Sequence, residues 1–197
     1  DKEQRGFSTR FASPLDMRMN QAQQLTAADV LLTYSESQLH ALFEKYGEVT
    51  NAKTLARHIM QHRNPSALSA TDSFRSLLKP VIKGNPNKYL AQVFQALRIE
   101  VNDELGALKE LLEQIPSALQ QGGRCAVITF HSIEDRLVKN FFRSGSFEES
   151  DETNPFSNET KKSLLKVITK KPITPSEEEM KKNQRSRSAK LRVAERI

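Results

Sequence analysis

Seven consecutive residues, Phe130-His-Ser-Ile-Glu-Asp-Arg136, combine a histidine, a hydroxyl, two acids and an arginine. They follow directly on the short apolar run Arg124-Cys-Ala-Val-Ile-Thr129. His131 can exchange a proton or hydrogen-bond near neutral pH. Ser132 can hold a substrate group or cap a helix, while Glu134, Asp135 and Arg136 can pair with one another or face a ligand. The plain alternative is a helix start, with Ser132 as cap, the acids stabilising the dipole and one incidental histidine. A serine nucleophile with a histidine base is disfavoured. Neighbours in sequence after a strand seldom point at each other, and the chain has no G-x-S-x-G elbow.

Three further groups carry polar chemistry. Asp16-Met-Arg18 sets an acid and a guanidinium two apart in a loop, suited to a structural pair or to the wall of a cleft. In Gln95-Ala-Leu-Arg-Ile-Glu-Val-Asn-Asp-Glu104, helical spacing puts Gln95 with Arg98 and Arg98 with Asn102 on one face. Such a stripe can hydrogen-bond phosphate, sugar or base, although a solvated helix face is the ordinary reading. The last group is the tail from Asn183 to Arg192. Residues 161–197 hold twelve Lys or Arg against four acids, an excess of +8 where the whole chain has +6. The positive charge is therefore localised, and Arg185 and Arg187, interleaved with Ser186 and Ser188, suit phosphate contacts. A basic, merely soluble tail is the alternative.

The elements that must position these groups follow from periodicity. Residues 1–24 read as loop. Thr26 caps a short helix through about Tyr34, and Ser35-Glu-Ser-Gln38 has capping-box form ahead of Leu39, Leu42, Phe43 and Tyr46, with Gly47 as the stop. Leu55, Ala56, Ile59 and Met60 mark another helix, and Thr71-Asp-Ser73 opens one carrying Phe74, Leu77, Leu78 and Val81 that Pro80 ends or kinks. The longest periodic stretch is 87–114. There Leu90, Val93, Phe94, Leu97, Val101, Leu105, Leu108, Leu111 and Leu112 line one side, interrupted at Asn102-Asp-Glu104, and Pro116 begins a short final turn. After Gly122-Gly123 the period changes. The run 124–130 has the pattern of a strand buried on both faces, as in a parallel sheet covered by helices. Ser132 then caps a helix with Ile133, Leu137, Val138 and Phe141 inward. Residues 144–163, with acids at 148, 149, 151, 152 and 159, read as an exposed loop. Leu164–Thr169 and Ala189–Ala194 alternate as strands, with a short helix from Ser176 between them.

Composition narrows the classes. A pI near 9.5 suits an anionic partner, nucleic acid first, and on composition alone equally suits a merely basic surface. The single Cys125, expected in the core, excludes an internal disulfide framework and a cysteine-based zinc site, and a reducing compartment fits. The four histidines read as scattered, without metal-ligand spacing, so no metal is expected. No apolar stretch approaches the roughly 20 residues that span a bilayer. The seven glycines include no cofactor-cradling loop. One strong strand and two late ones make a poor sheet, so further strands are expected before Asp1. A sheet lacking them would expose an edge that partner association or exchange between copies, giving a homo-oligomer, would cover.

Taken together, these groups resemble one family, the bacterial small-subunit ribosomal RNA cytosine-N4 methyltransferases, or MraW family. The stretches that carry the resemblance are Arg5-Gly-Phe-Ser8, Pro14-Leu-Asp-Met-Arg-Met19, Tyr46-Gly-Glu48, Phe94-Gln-Ala-Leu-Arg-Ile99 with Val101-Asn-Asp-Glu-Leu105, Gly122-Gly-Arg124, Phe130–Arg136 with Val138-Lys139, and Arg185-Ser-Arg-Ser-Ala-Lys-Leu-Arg192. Departures are small: Ile133 stands where Leu is usual, Gln184 where Pro is usual, and Asn87-Lys-Tyr-Leu90 replaces a Pro-containing lead-in.

The resemblance implies an α/β fold. It would be part of a Rossmann-like S-adenosylmethionine-dependent methyltransferase domain with a helical insertion, its N-terminal strands missing from this chain. The divisions would be 1–16, a loop of the truncated methyltransferase domain, 17–88, a helical substrate-recognition insertion, and 89–197, the C-terminal half of the methyltransferase domain. The expected activity is N4-methylation of a cytosine in 16S RNA of the small ribosomal subunit, in the cytoplasm, with this chain inactive alone. The runner-up is a non-catalytic module that docks on ribosomal RNA. By resemblance, His131, Ser132, Asp16 and Glu134 border the methyl-transfer pocket, and Arg18, Arg98, Asn102, Arg136, Arg185, Arg187 and Lys190 hold RNA. The residues that bind S-adenosylmethionine would lie before Asp1.

Overall fold

The computed structural model describes residues 5–8, 12–147 and 163–197. Most of the acidic loop expected at 144–163 lies outside the described residues. The chain divides into two compact units, Asp1–Glu104 and Leu105–Ile197.

The first unit is helical: α1 (Ala27–Thr33), α2 (Glu36–Lys45), α3 (Ala52–His62), α4 (Thr71–Leu78), a 3-10 turn (Lys79–Val81) and α5 (Pro86–Asn102). Local signals set the starts. Thr26 and Ser35 form reciprocal capping boxes with Asp29 and Gln38; the sequence predicts the cap at Thr26 and the box at Ser35. Asn85 caps α5, and Pro86 sits where a missing N–H costs nothing. Pro80 does end α4, which tightens into the 3-10 turn. The apolar faces of α2, α3, α4 and α5 meet in one core containing Leu39, Phe43, Leu55, Ile59, Phe74, Val93 and Leu97. Leu15 and Met17 of the preceding loop are buried in the same core.

The long apolar stripe of 87–114 divides into two helices. Asp103 takes a left-handed conformation (φ 46°) that ends α5, and α6 (Glu104–Ala118) follows. Residues up to Val101 belong to the helical core, whereas Leu112 and Ile115 belong to a second one. Leu111, expected inward, is 54% exposed. Pro116 lies inside α6 rather than starting a new turn.

The second unit packs α6 and α7 (Ser132–Ser144) with a three-stranded sheet of β1 (Arg124–Thr129), β2 (Leu165–Val167) and β3 (Lys190–Arg196), in the order β1-β3-β2. Helix α8 (Glu177–Lys182) and a 3-10 turn (Gln184–Ser188) connect β2 to β3. The expectation of a parallel strand buried on both faces is corrected here. β1 pairs antiparallel with β3, with Val127 opposite Arg192 and Ile128 opposite Leu191. Cys125 and Val127 pack against the core of Leu112, Val138, Phe141 and Phe142, while Ile128 on the other face is 59% exposed. Cys125 is half-buried rather than enclosed. A continuous apolar run states that both faces of a strand tolerate burial; it does not state that both are covered.

Truncating Phe74, which is fully buried, to alanine is expected to cost about 3–5 kcal/mol. Leu111→Ala is expected to stay within about 0.5 kcal/mol. Urea denaturation of the two variants checks both, and equal losses would restore the single-stripe reading.

Candidate functional site

The candidate residues fall into groups in each unit. In the first, the loop Pro14–Met19 crosses the helical core. Leu15 and Met17 point inward and alternate with Asp16 and Arg18, which are only partly covered. The Arg18 guanidinium grips Asp16 with two parallel bonds, Nε to Oδ1 at 2.7 Å and Nη2 to Oδ2 at 2.8 Å, and the Arg18 backbone N–H adds a third at 3.0 Å. Arg18 Nη1 donates to the Gln23 carbonyl at 2.7 Å. The Arg18 bonds outweigh partial burial and hold the Asp16 carboxyl below its usual range. Arg98 is engaged as well, donating to both oxygens of Glu104 at 2.7 and 3.0 Å. Asn102 turns to the loop: its Nδ2 donates to the Met17 carbonyl and its Oδ1 accepts from the Met19 N–H. The sequence stripe Gln95, Arg98, Asn102 is thus a set of intramolecular hydrogen bonds, Gln95 reaching the Tyr46 carbonyl.

In the second unit the turn after β1 begins α7. Its cap is His131, not Ser132, which is the first helical residue. His131 Nδ1 accepts the Glu134 N–H at 3.3 Å, and Glu134 Oε2 accepts the N–H groups of Phe130 at 2.9 Å and His131 at 3.4 Å. A histidine can take a role usual for serine because an unprotonated Nδ1 is an acceptor at similar reach. That assigns the proton of the neutral ring to Nε2, which lies 3.3 Å from Glu134 Oε1 but off the line of a hydrogen bond. Burial pushes the Glu134 carboxyl up. The His131 ring and the two amides outweigh it, and the net direction is down.

Asp135 faces the sheet. Its carboxylate binds Arg192 Nε at 2.6 Å and Nη2 at 3.1 Å, and Lys190 Nζ at 3.2 Å. Asp135 and Arg192 are both buried. Here too burial raises the carboxyl, and the Arg192 and Lys190 contacts reverse the direction. Arg192 was missed as a site residue. Its signal was a charge on the inward face of an alternating strand, two residues before Ala194, which calls for a buried counter-charge. Ser132, Arg136, Arg185 and Arg187 are exposed. His58, His62, Ser73, Ser76 and Pro80 border an open cavity of about 330 Å³ in the first unit, lined by none of the candidate residues.

The whole chain, residues 1–197, matches the profile of the MraW methylase family. The chain belongs to that family. Among similar proteins, the ribosomal RNA small subunit methyltransferase H of Azobacteroides pseudotrichonymphae is 53% identical over 98% of this chain and 63% of its own length. The proteins of the same name from Cytophaga hutchinsonii and Bacteroides thetaiotaomicron are 49% and 47% identical over all of this chain, which covers 65% and 64% of their lengths. This MraW-family chain thus spans a little under two thirds of the relatives it matches.

A methylase implies an S-adenosylmethionine-type donor. The turn between β1 and α7 does not fit as its cradle. The backbone amides of Phe130, His131 and Glu134 already have partners, and Asp135 is closed by two cations. No described helix is long and apolar enough to cross a membrane.

The buried pair in this MraW-family chain gives a stability signature. The folded Asp135 carboxyl is lowered, so its stabilisation is present above the unfolded value near 3.8 and lost as pH falls through the folded value. Asp135→Ala, leaving Arg192 buried without its partner, is expected to cost about 3–5 kcal/mol at pH 7, with the deficit shrinking toward acid. Denaturant midpoints from pH 7 to 3 test this, and a deficit constant across that range would contradict it.

Proposed function

We propose that this chain is part of an enzyme that methylates N4 of a cytosine in 16S RNA, using S-adenosylmethionine, in the cytoplasm. The observation that carries the reading is the family match over all of residues 1–197, with relatives named ribosomal RNA small subunit methyltransferase H. In this reading residues 17–88 are the helical insertion that meets substrate. Residues 1–16 and 89–197 belong to a Rossmann-like catalytic domain whose donor-binding residues lie outside this chain, so the chain alone is inactive; Leu15 and α5 of that domain pack in the same core as the insertion.

The amine of cytosine is a poor nucleophile because its lone pair is delocalised into the ring. Transfer needs the base out of its stack, the amine held in line with the methyl group, and an acceptor for an amine proton. Asp16 suits that last role. Arg18 keeps it ionised, and a carboxylate offers about four acceptor positions, of which three are taken here. Glu134 is the second candidate, and its Oε2 already carries two amides. His131 and Ser132 would border the pocket, the His131 ring by accepting the Glu134 N–H and so fixing the start of α7. Arg136, Arg185, Arg187 and Lys190 in the second unit, and Arg18, Arg98 and Asn102 in the first, would each face or shape a surface for RNA. The localised charge of residues 161–197 favours a second reading, a docking module for ribosomal RNA without chemistry.

In the full-length enzyme, Asp16→Asn and His131→Ala are each expected to slow methyl transfer to small-subunit RNA about 100-fold or more, followed with labelled donor and nucleoside mass spectrometry. Unchanged turnover in both would remove the catalytic assignment, and a product other than N4-methylcytosine would overturn the substrate. Calorimetric titration of this chain with S-adenosylmethionine is expected to show no tight binding; micromolar affinity would place the donor site here.

A further inference from the structure

Met17 stands out in the loop Pro14–Met19. Its φ is 61° and its side chain is fully buried. A non-glycine residue in the left-handed region is uncommon and persists where its surroundings over-determine it. Three hydrogen bonds do so here. The Met17 N–H donates to the Arg5 carbonyl at 2.8 Å, the Met17 carbonyl accepts from Asn102 Nδ2 at 2.8 Å, and the Met19 N–H donates to Asn102 Oδ1 at 2.6 Å. Asn102 Nδ2 also donates to the Arg98 carbonyl one helical turn back, at 2.8 Å. Two carbonyls therefore face the nitrogen and an amide faces the oxygen, which fixes the carboxamide's orientation. The two loop bonds bracket Arg18, whose backbone and guanidinium both go to Asp16.

From this geometry we infer that Asn102 is a positioning residue. It acts through the backbone on either side of Arg18 and holds the Asp16–Arg18 pair in one arrangement before substrate arrives, rather than binding RNA itself. The inference rests on the reading that Asp16 and Arg18 face the RNA. Asparagine suits the task because it supplies a donor and an acceptor together, at the reach that the last turn of α5 allows. Without it, the strained loop would spend only part of its time in the competent arrangement, and apparent affinity would fall by that fraction.

The test uses the full-length enzyme with small ribosomal subunits as substrate. Asn102→Ala is expected to raise KM about tenfold with kcat within about twofold. Donor affinity should be unchanged, the melting transition retained and hydrogen exchange at the Met19 amide faster. Asp16→Asn, by contrast, should lower kcat. Asn102→Asp keeps the acceptor but lacks the donor while ionised, so its KM defect should shrink as pH falls and the carboxyl protonates. If Asp16→Asn slows transfer while Asn102→Ala keeps a wild-type KM and wild-type Met19 exchange, the inference is overturned and the proposed function stands. If both variants behave as wild type, both fail. If Asn102→Ala loses its melting transition, the aspartate variant decides: a KM defect that does not move with pH overturns the inference.

Discussion

Burying Leu15 and Met17 in the helical core obliges the backbone between and beside them to find hydrogen-bond partners within the protein. The rest of the first unit is arranged around that demand. The Leu15 N–H reaches the Ser69 carbonyl, and the carbonyls of Leu15 and Asp16 take the N–H groups of Ala28 and Ala27 at the start of α1. Met17 is tied to Arg5 and Asn102. Gly6 is required by the same approach: its φ is +75°, and a Cβ there would lie 2.5 Å from the Pro14 carbonyl. The apolar residues anchor the loop, and Asp16 and Arg18, alternating with them, are left at the surface with their geometry already set.

The second unit meets a related problem with charge. The face of β3 that looks toward α7 carries Arg192 beside Ala194, and Asp135 on α7 neutralises it. The pair joins the first turn of the helix to the sheet, so the His131–Glu134 box has a defined place relative to β1. A buried ion pair of this kind contributes little net stability, because desolvation offsets most of the attraction, but removing one partner is costly. Its value here is registry between helix and strand.

Much of the fold was legible in the sequence where local chemistry sets it. Thr26, Ser35 and Ser176 cap the helices that their spacing predicts. The break at 102–104, Pro80 and the strand at 124–129 fall where composition changes. Tertiary context decided the rest. Periodicity cannot report that Asp103 turns left-handed, that Leu111 faces outward, or that β1 has an uncovered face. His131 as a cap was hidden because serine next to it is the commoner choice. The polar candidates were found as residue types, but their pairings were not: Arg98 with Glu104, Asn102 with the loop backbone and Asp135 with Arg192 link positions that only the folded chain brings together.

The exposed face of the sheet bears on how this chain behaves in solution. Ile128, Phe130 and Ile173 are each more than half exposed, and Ile173 bridges to Leu191 beside Ile128. A folded protein with such a patch offers a ready surface to amphiphilic fluorescent dyes. Dye binding is ordinarily taken as a mark of a molten globule. For this polypeptide the same signal is expected from the native state itself, so loss of order is to be judged from near-ultraviolet dichroism instead.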